Sequence, residues 1–388
     1  LNVLIIHCSY KYRGGEDTVV CEEMRILEKA GIRVDLLEFQ NDKRSLLKLI
    51  QMPFNFSSYW QTCKKIDRFK PDIVHIHNLH FAGSASVLYA LKHKRVPFVT
   101  TLHNYRLLCP SAILFNDGQL YLKSVKQIFP WDAIRKGVYK NSKLLTFWVS
   151  ITTKLHQCLG TWQLCSKYIV LTEHAQKVYL ESKLGLGENK LIIKPNFCAL
   201  PSVTPTSRSE HFLYVGRLTE EKGVRLLLQV FSSNSYRLKI AGDGPLRQEV
   251  MQYSEKYDNI EFLDIVKKDD LPDLLASCTA LIFPSIWFEG MPLTIIEAFA
   301  TGTPVIASKL GAMESMIEND FNGLHFEAGC PRALGAKLAL WHNMNSLKKA
   351  TFYKNAQATY KHHYTPEENL EKLLSIYQSV IDEKNTVA

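Results

Sequence analysis

The chain has 388 residues, 46% of them apolar and 22% charged, without a low-complexity tract or a solenoid-like repeat. That length is too great for one ordinary core and predicts two domains. The net charge of +9 is unevenly placed, with 28 Lys and Arg against 15 Asp and Glu in residues 1–200 and 19 against 23 in the remainder.

The basic first half predicts either an anionic partner surface, membrane or nucleic acid, or a solvated basic face. Nine scattered cysteines contain no C-x-x-C pair. They argue against a disulfide scaffold and for a reducing, cytoplasmic setting in which buried Cys packs as a small apolar residue. Residues 2–7 do not read as a secretory signal, being too short and leading into a loop. The uncharged apolar run 144–153 falls far short of the ~20 residues that span a bilayer.

In chain order, the β-branched run 2–7 reads as a buried parallel strand followed by a loop holding Gly14-Gly15. A helix over 17–29 carries Val20, Met24 and Leu27 at helical spacing and stops at Gly31; a strand over 33–39 completes a β-loop-α-β unit. Further strands are predicted at 73–77, 98–103, 168–172 and 190–194. The Pro-, Ser- and Thr-rich stretch after 195 reads as a linker. The second half restarts with strands at 212–218, 237–242, 260–263, 280–283 and 304–307, helices falling between them. A last helix over 366–384 has Leu370, Leu373, Leu374 and Tyr377 on one face. Ligands bind doubly wound sheets at the carboxyl ends of the strands, where Gly14, Gly15, His77, His103, Arg217, Gly242 and Glu289 fall.

The strongest signal is Glu289-Gly290-Met291-Pro292-Leu293-Thr-Ile-Ile-Glu297. Pro292 suits the first helical position, a helix follows over 293–300, and Thr301-Gly302-Thr303-Pro304 ends it. One carboxylate lies before the helix and one about a turn inside, with free amides and the positive end of the dipole between them. Carboxylates accept sugar or ribose hydroxyls and a helix N-terminus holds phosphate, so the stretch is a candidate nucleotide-sugar site. In Val215-Gly-Arg217-Leu-Thr-Glu-Glu-Lys222-Gly223, Arg217 ends a strand and Lys222 opens the next helix. Both are predicted to turn toward one phosphate.

Gly14-Gly15 and Gly242-Asp-Gly244 either bring backbone close to a ligand or are plain turns. Neither is the G-x-G-x-x-G fingerprint. His103 either bonds a sugar hydroxyl or is a structural histidine. Of His75 and His77, one is expected inside the fold and the other lining the cleft. With His80 they lack a carboxylate or Cys partner at metal-ligand spacing. No D-x-D triplet occurs, which argues against a metal-chelated diphosphate. Between 129 and 162, Trp131, Tyr139, Phe147, Trp148 and Trp162 are mixed with Arg135, Lys136, Lys140, Lys143 and Lys154. They form either a peripheral membrane face or core packing.

These motifs together resemble the retaining glycosyltransferases of family 4. The resemblance rests on Gly14-Gly15-Glu16, Pro71-Asp-Ile-Val-His-Ile-His77, the Arg217–Lys222 stretch, and Pro284-Ser285 through the Glu289-x7-Glu297 pair. It implies a GT-B fold: two doubly wound, Rossmann-like α/β domains facing across a cleft, the C-terminal helix returning to the first. The implied boundaries are 1–197 for the acceptor-side domain, 198–208 for the linker, 209–365 for the nucleotide-sugar domain and 366–388 for the helix. It further implies that Arg217 and Lys222 hold the donor diphosphate, Glu297 the ribose and Glu289 the sugar. Amides of Gly290, Met291, Pro292 and Leu293 would line sugar and phosphate, with the base near Ile265 and Val266. His103 would touch the sugar, Gly14, Gly15 and Gly242 would approach the donor, and Glu16, His77 and Asn104 would lie on the acceptor side. Asn104 stands where many relatives carry Asp. The expected donor is a UDP- or GDP-sugar, without metal or other cofactor. The expected acceptor is a glycan or lipid-linked glycan of surface polysaccharide synthesis, at the inner face of a membrane. A soluble acceptor, a dinucleotide-dependent oxidoreductase and a nucleic-acid binder are the alternatives, the last two disfavoured by the missing glycine fingerprint and the absence of a nucleic-acid module.

Overall fold

The structure, a computed structural model, describes residues 1–9, 14–41, 49–200 and 208–387. Most of the expected linker, 201–207, lies outside the described residues. The chain forms two compact units. Unit 1 comprises Leu1–Leu114, Tyr121–Asn196 and Pro366–Ala388; unit 2 comprises Phe115–Leu120 and Phe197–Thr365.

Unit 1 contains β1 (Asn2–Ser9), β2 (Arg33–Gln40), β3 (Ile73–Ile76) and β4 (Phe98–Leu102). An antiparallel hairpin, β5 (Phe115–Asn116) with β6 (Gln119–Leu120), was not read from the sequence and groups with unit 2. β7 (Lys167–Val170) and β8 (Leu191–Ile193) complete an all-parallel sheet of order β2-β1-β3-β4-β7-β8. The apolar runs become fully buried central strands, as sheets covered on both faces require. The first helix, Gly15–Lys29, begins two residues before the predicted start.

The C-terminal helix, Pro366–Val387, packs into unit 1. Leu373, Ile376, Tyr377 and Val380 join Val3, Ile5, Val20, Leu27, Ile73, Val99 and Ile169 in one core, with Leu370 and Leu374 at its margin. The predicted apolar face is thus the one buried.

Unit 2 contains β9 (Phe212–Val215), β10 (Leu238–Ala241), β11 (Ile260–Phe262), β12 (Ala280–Phe283), β13 (Val305–Ser308) and β14 (Gly323–Phe326). Their order, β11-β10-β9-β12-β13-β14, is the 3-2-1-4-5-6 order of dinucleotide-binding sheets. The order reverses between β9 and β12. Those strands pair only at Phe212–Ala280 and Leu213–Leu281, so a crevice opens beyond their carboxyl ends. Gly223, at φ +73°, closes the turn after β9; a Cβ there would lie 2.0 Å from the Pro284 carbonyl oxygen.

Among the described residues no helix is long and apolar enough to cross a membrane. All nine cysteines are free; six are buried, whereas Cys21 and Cys158 are exposed and Cys330 is half-buried. Because Leu373 is fully buried among core side chains, Leu373→Ala is expected to lower stability by about 2–5 kcal/mol, read as a lower urea midpoint.

Candidate functional site

In unit 2 the crevice beyond β9 and β12 gathers the strongest sequence motifs. The β12 loop turns Glu289 inward, and three donors converge on its Oε1: Lys222 Nζ at 2.7 Å, Ser285 Oγ at 2.6 Å and Trp287 Nε1 at 2.9 Å. The Lys222 ammonium also lies 5.5 Å from the ring centroids of both Phe283 and Trp287, cation–π contacts that fix its direction. Glu289 is 5% exposed, so one oxygen is saturated and Oε2 remains its other acceptor.

The helix Leu293–Ala300 begins immediately after, with Pro292 as N-cap rather than first helical residue and no side-chain cap. Its first amides and dipole end are therefore open to an anion. Glu297 lies one turn in. Burial pushes its carboxyl above the ordinary value, against the opposing pull of Lys268.

Arg217 and Lys222, expected to turn toward one phosphate, have separate partners in the structure. Arg217 is 64% exposed and has Glu221 Oε1 at 3.6 Å, while Lys222 is bound to Glu289. The two cations follow one strand but engage different carboxylates, because Gly223 turns Lys222 back onto the β12 loop.

Gly242 carries a different constraint from the one its motif suggested. At φ +148°, a Cβ there would come 1.9 Å from the Gly216 carbonyl oxygen, so its missing side chain is used by the neighbouring β9 loop. Ile265, 68% exposed, and half-buried Val266 follow β11 at the sheet edge. Met291 is buried, and Gly290 is half-buried.

In unit 1, Gly14 is an exposed N-cap whose amide donates to Asp17 Oδ2 at 2.7 Å, and Gly15 opens the helix. Glu16 follows, its Oε1 3.8 Å from His7 Nδ1. Burial, reinforced by Asp17, pushes its carboxyl up to about 8. Asp17 itself holds His7 Nε2 at 3.0 Å.

His75 lies in β3 and His77 directly follows it. Residues i and i+2 of a strand share a face, and His75 and His77 lie side by side, both buried, with ring centroids 4.1 Å apart. Their carboxylate partner comes from the first helix. Glu23 Oε2 is 3.2 Å from His77 Nε2 and 3.7 Å from His75 Nδ1, while Lys194 Nζ sits 2.5 Å from Glu23 Oε1. Burial alone would raise the Glu23 pKa; Lys194 and the two histidines hold it well below the ordinary carboxylate value.

Lys194 also donates to Asn369 Oδ1 at 3.1 Å, and His75 is bonded to Tyr377 OH and Thr101 Oγ1, each at 2.8 Å. Glu23, His75 and His77 have metal-like proximity. The Lys194 ammonium stands where a cation would be drawn, and both His75 nitrogens are committed. Glu23 and Lys194 were not identified from the sequence, since 171 residues separate them.

His77 Nδ1 lies 3.0 Å from His103 Nε2. Burial, then the neighbouring His77, keeps His103 well below the usual histidine pKa, hence neutral near pH 7. The side chain of Asn104 turns inward on its own loop, accepting from the Arg106 amide at 3.1 Å.

Two such doubly wound units in one chain define the GT-B class. Over 98% of its length the chain matches the whole of Anabaena HepE, solved in complex with UDP, with a TM-score of 0.69 at 17% identity. Residues 13–147 match Glycosyltransferase Family 4, and residues 202–359 match Glycosyl transferases group 1. With about three quarters of its length matched in this way, the chain belongs to the group 1, family 4 glycosyltransferases. It is 26% identical over 265 residues to an uncharacterised glycosyltransferase of Methanocaldococcus jannaschii, covering 66% of this chain and 62% of that protein. It is 23% identical over 217 residues to the putative colanic acid biosynthesis glycosyltransferase WcaL of Escherichia coli, covering 51% of this chain and 53% of that protein. The matches thus span between half and two thirds of these relatives' length. Family membership sets aside the oxidoreductase and nucleic-acid alternatives.

The buried pair makes a direct prediction. Lys194→Met, which strands a buried carboxylate, is expected to cost about 3–5 kcal/mol, whereas Glu23→Gln/Lys194→Met recovers much of the loss. Equal urea midpoints for the single and double variants would contradict the pairing.

Proposed function

We propose that the protein transfers a sugar from a UDP- or GDP-sugar to a hydroxyl of a lipid-linked glycan, with retention of anomeric configuration and without a metal. The observation that carries this reading is the unit 2 crevice, where Glu289 is held by Lys222, Ser285 and Trp287 beside the uncapped helix Leu293–Ala300. In this reading the open amides and Lys222 take the diphosphate, with Arg217 swinging in from solvent. Glu289 Oε2 accepts a sugar hydroxyl and Glu297 the ribose diol. Ile265 and Val266 offer an apolar edge to the base. His103 contacts the sugar, Gly15 approaches the diphosphate, and Glu16 and His77 belong to the acceptor side.

The reaction needs charge stabilisation on a departing diphosphate more than protonation. The acceptor hydroxyl attacks on the face the nucleotide leaves, and a phosphate oxygen takes its proton. Protein groups then supply position and field. Polysaccharide synthesis, named for the Escherichia coli relative, is the setting this supports. Arg217→Ala and Lys222→Ala each remove charge-assisted bonds worth about 1.5–3 kcal/mol and are expected to reduce turnover at least tenfold. The product anomer, read by NMR, should match the donor, and EDTA should leave the rate unchanged; an inverted product or EDTA inhibition would overturn those parts of the reading.

A lipid-linked acceptor is supported by one face of unit 1. On the helix Lys143–Cys158, Leu144, Ile151 and Leu155 form an exposed stripe. Leu144 is 76% exposed; Ile128 and Trp131, at 72% and 58%, add to the exposed apolar surface. Phe129 packs against Trp131 and Phe147, with centroids 4.7 Å and 6.4 Å apart. Lys126, Arg135, Lys136, Lys140 and Lys143 are exposed in the same segment. The sequence had offered these aromatics as a surface or as core; they divide, because Tyr139 is buried and Trp148 donates to the Leu49 carbonyl. Apolar anchors among cations suit an anionic leaflet, which would put the protein on the inner face of the membrane. Flotation with anionic liposomes is expected at low salt and to weaken at high salt, and Leu144→Ser/Trp131→Ser should reduce it. Equal, negligible binding to neutral and anionic vesicles would favour a soluble acceptor instead.

A further inference from the structure

Arg106 lies just beyond β4 in a tightly braced turn. Its amide is bound to Asn104 Oδ1, the Tyr105 amide donates to the Ala112 carbonyl, and Tyr179 OH donates to the Asn104 carbonyl at 2.8 Å. The brace directs the guanidinium inward. Its Nε and Nη1 are buried and have no hydrogen-bond partner among the described residues. Arg106 itself is half-buried, but guanidinium nitrogens shut away from water without a partner oppose folding unless something else repays them.

Two hollows meet at this side chain. One, of about 130 Å³, is walled by Met52, Leu79, Phe81, Leu88 and Trp162 and reaches His77 and His103. The other, of about 50 Å³, is lined by Lys154 and Lys183 and runs to Ile128 on the exposed apolar face. Among the described residues neither lining contains an Asp or a Glu. The nearby acid, Glu16, is pushed up to about 8 by burial, so it is chiefly neutral at pH 7 and leaves the guanidinium without a full counter-charge.

We propose that Arg106, with Lys154 and Lys183, forms an oxyanion site for the acceptor. The site would seat a phosphate or carboxylate group whose apolar neighbour lies toward Ile128 and whose reacting end lies toward His103. The proposal deepens the glycosyltransferase reading and rests on it. Arginine suits the task because its planar fork binds either oxyanion bidentately. The continuity with Ile128 favours a phosphate that joins the glycan to a lipid; a uronic acid carboxylate is the other source of the same chemistry.

The test is thermal melting of the full chain and of Arg106→Met. UDP and GDP are applied first, then four probes at saturating nucleotide: geranyl diphosphate, geraniol, methyl glucuronide and methyl glucoside. Arg106→Met is expected to melt no lower than the wild type, since two buried, unpartnered guanidinium nitrogens have been replaced by an apolar chain of similar length. It should keep the nucleotide shift. An anionic probe should raise the wild-type midpoint by several degrees, with no shift from its neutral counterpart and none in Arg106→Met. A response to geranyl diphosphate assigns the oxyanion to a lipid phosphate; one to methyl glucuronide assigns it to an acidic sugar. A variant that melts several degrees lower, or one that responds to the anions as the wild type does, overturns the site. So does a wild type that responds to neither anion. Absence of any nucleotide shift would count against the donor reading alone, because the Arg106 arms compare the two chains with each other. In turnover assays Arg106→Met should raise the acceptor KM at least tenfold and leave the donor KM within twofold, a split that a merely structural arginine would not produce.

Discussion

The ion pair between Lys194 and Glu23 is the contact on which unit 1 depends. Both side chains are 1% exposed, and in so dry a setting neither charge is tolerable without the other. The pair joins the first helix to the end of β8. Through Asn369 it reaches the C-terminal helix, and through His77 it reaches β3. The tips of the strands that present His77, His103 and Asn104 are thereby tied to the helix that presents Glu16. An apolar core of the same volume would hold these elements together without setting their register. The buried charges specify one arrangement, and the hydrogen bonds around them fix the orientation of each imidazole.

Unit 2 obtains its geometry from close backbone approach. Gly223 lies against the Pro284 carbonyl and Gly242 against that of Gly216, so the loops after β9, β10 and β12 are stacked with no room for side chains between them. That packing brings Lys222 onto Glu289, although 67 residues separate them. It also explains why Arg217, on the outer side of the same loop, remains in solvent. Lys222 is thus held on Glu289, while Arg217 lies 3.6 Å from Glu221 at the surface.

The charge asymmetry of the sequence has a local meaning in unit 1. Its surplus of Lys and Arg includes those of the exposed apolar face and, at Arg106, Lys154 and Lys183, those of two hollows lined by no acid among the described residues. The same imbalance therefore accounts for a surface and for an interior site. Arg106 is the more specific part, because guanidinium nitrogens shut away from water need an anion whereas a surface lysine is satisfied by water.

The sequence by itself determined the two α/β units, nearly all of their strands, the packing face of the last helix and the helix Leu293–Ala300, although Pro292 caps that helix instead of opening it. These features follow from local rules: apolar runs for buried strands, helical spacing for a packed face, proline and glycine for helix ends. It also marked Glu289, Glu297, Arg217 and Lys222, because their motif is contiguous and its chemistry is legible from spacing. Only the tertiary structure decided which of these charges face one another. Lys222 pairs with Glu289 and Arg217 lies by Glu221, while His75 and His77 both turn toward Glu23. Asn104 turned back onto its own loop, while Arg106 was left with Nε and Nη1 buried and unpartnered among the described residues. Glu23, Lys194 and Arg106 carry no local signature, since an acid on a helix, a lysine after a strand and an arginine in a turn are ordinary surface residues until the chain folds over them. Burial and pairing are properties of residues brought together across 171 positions, and no short-range pattern encodes them.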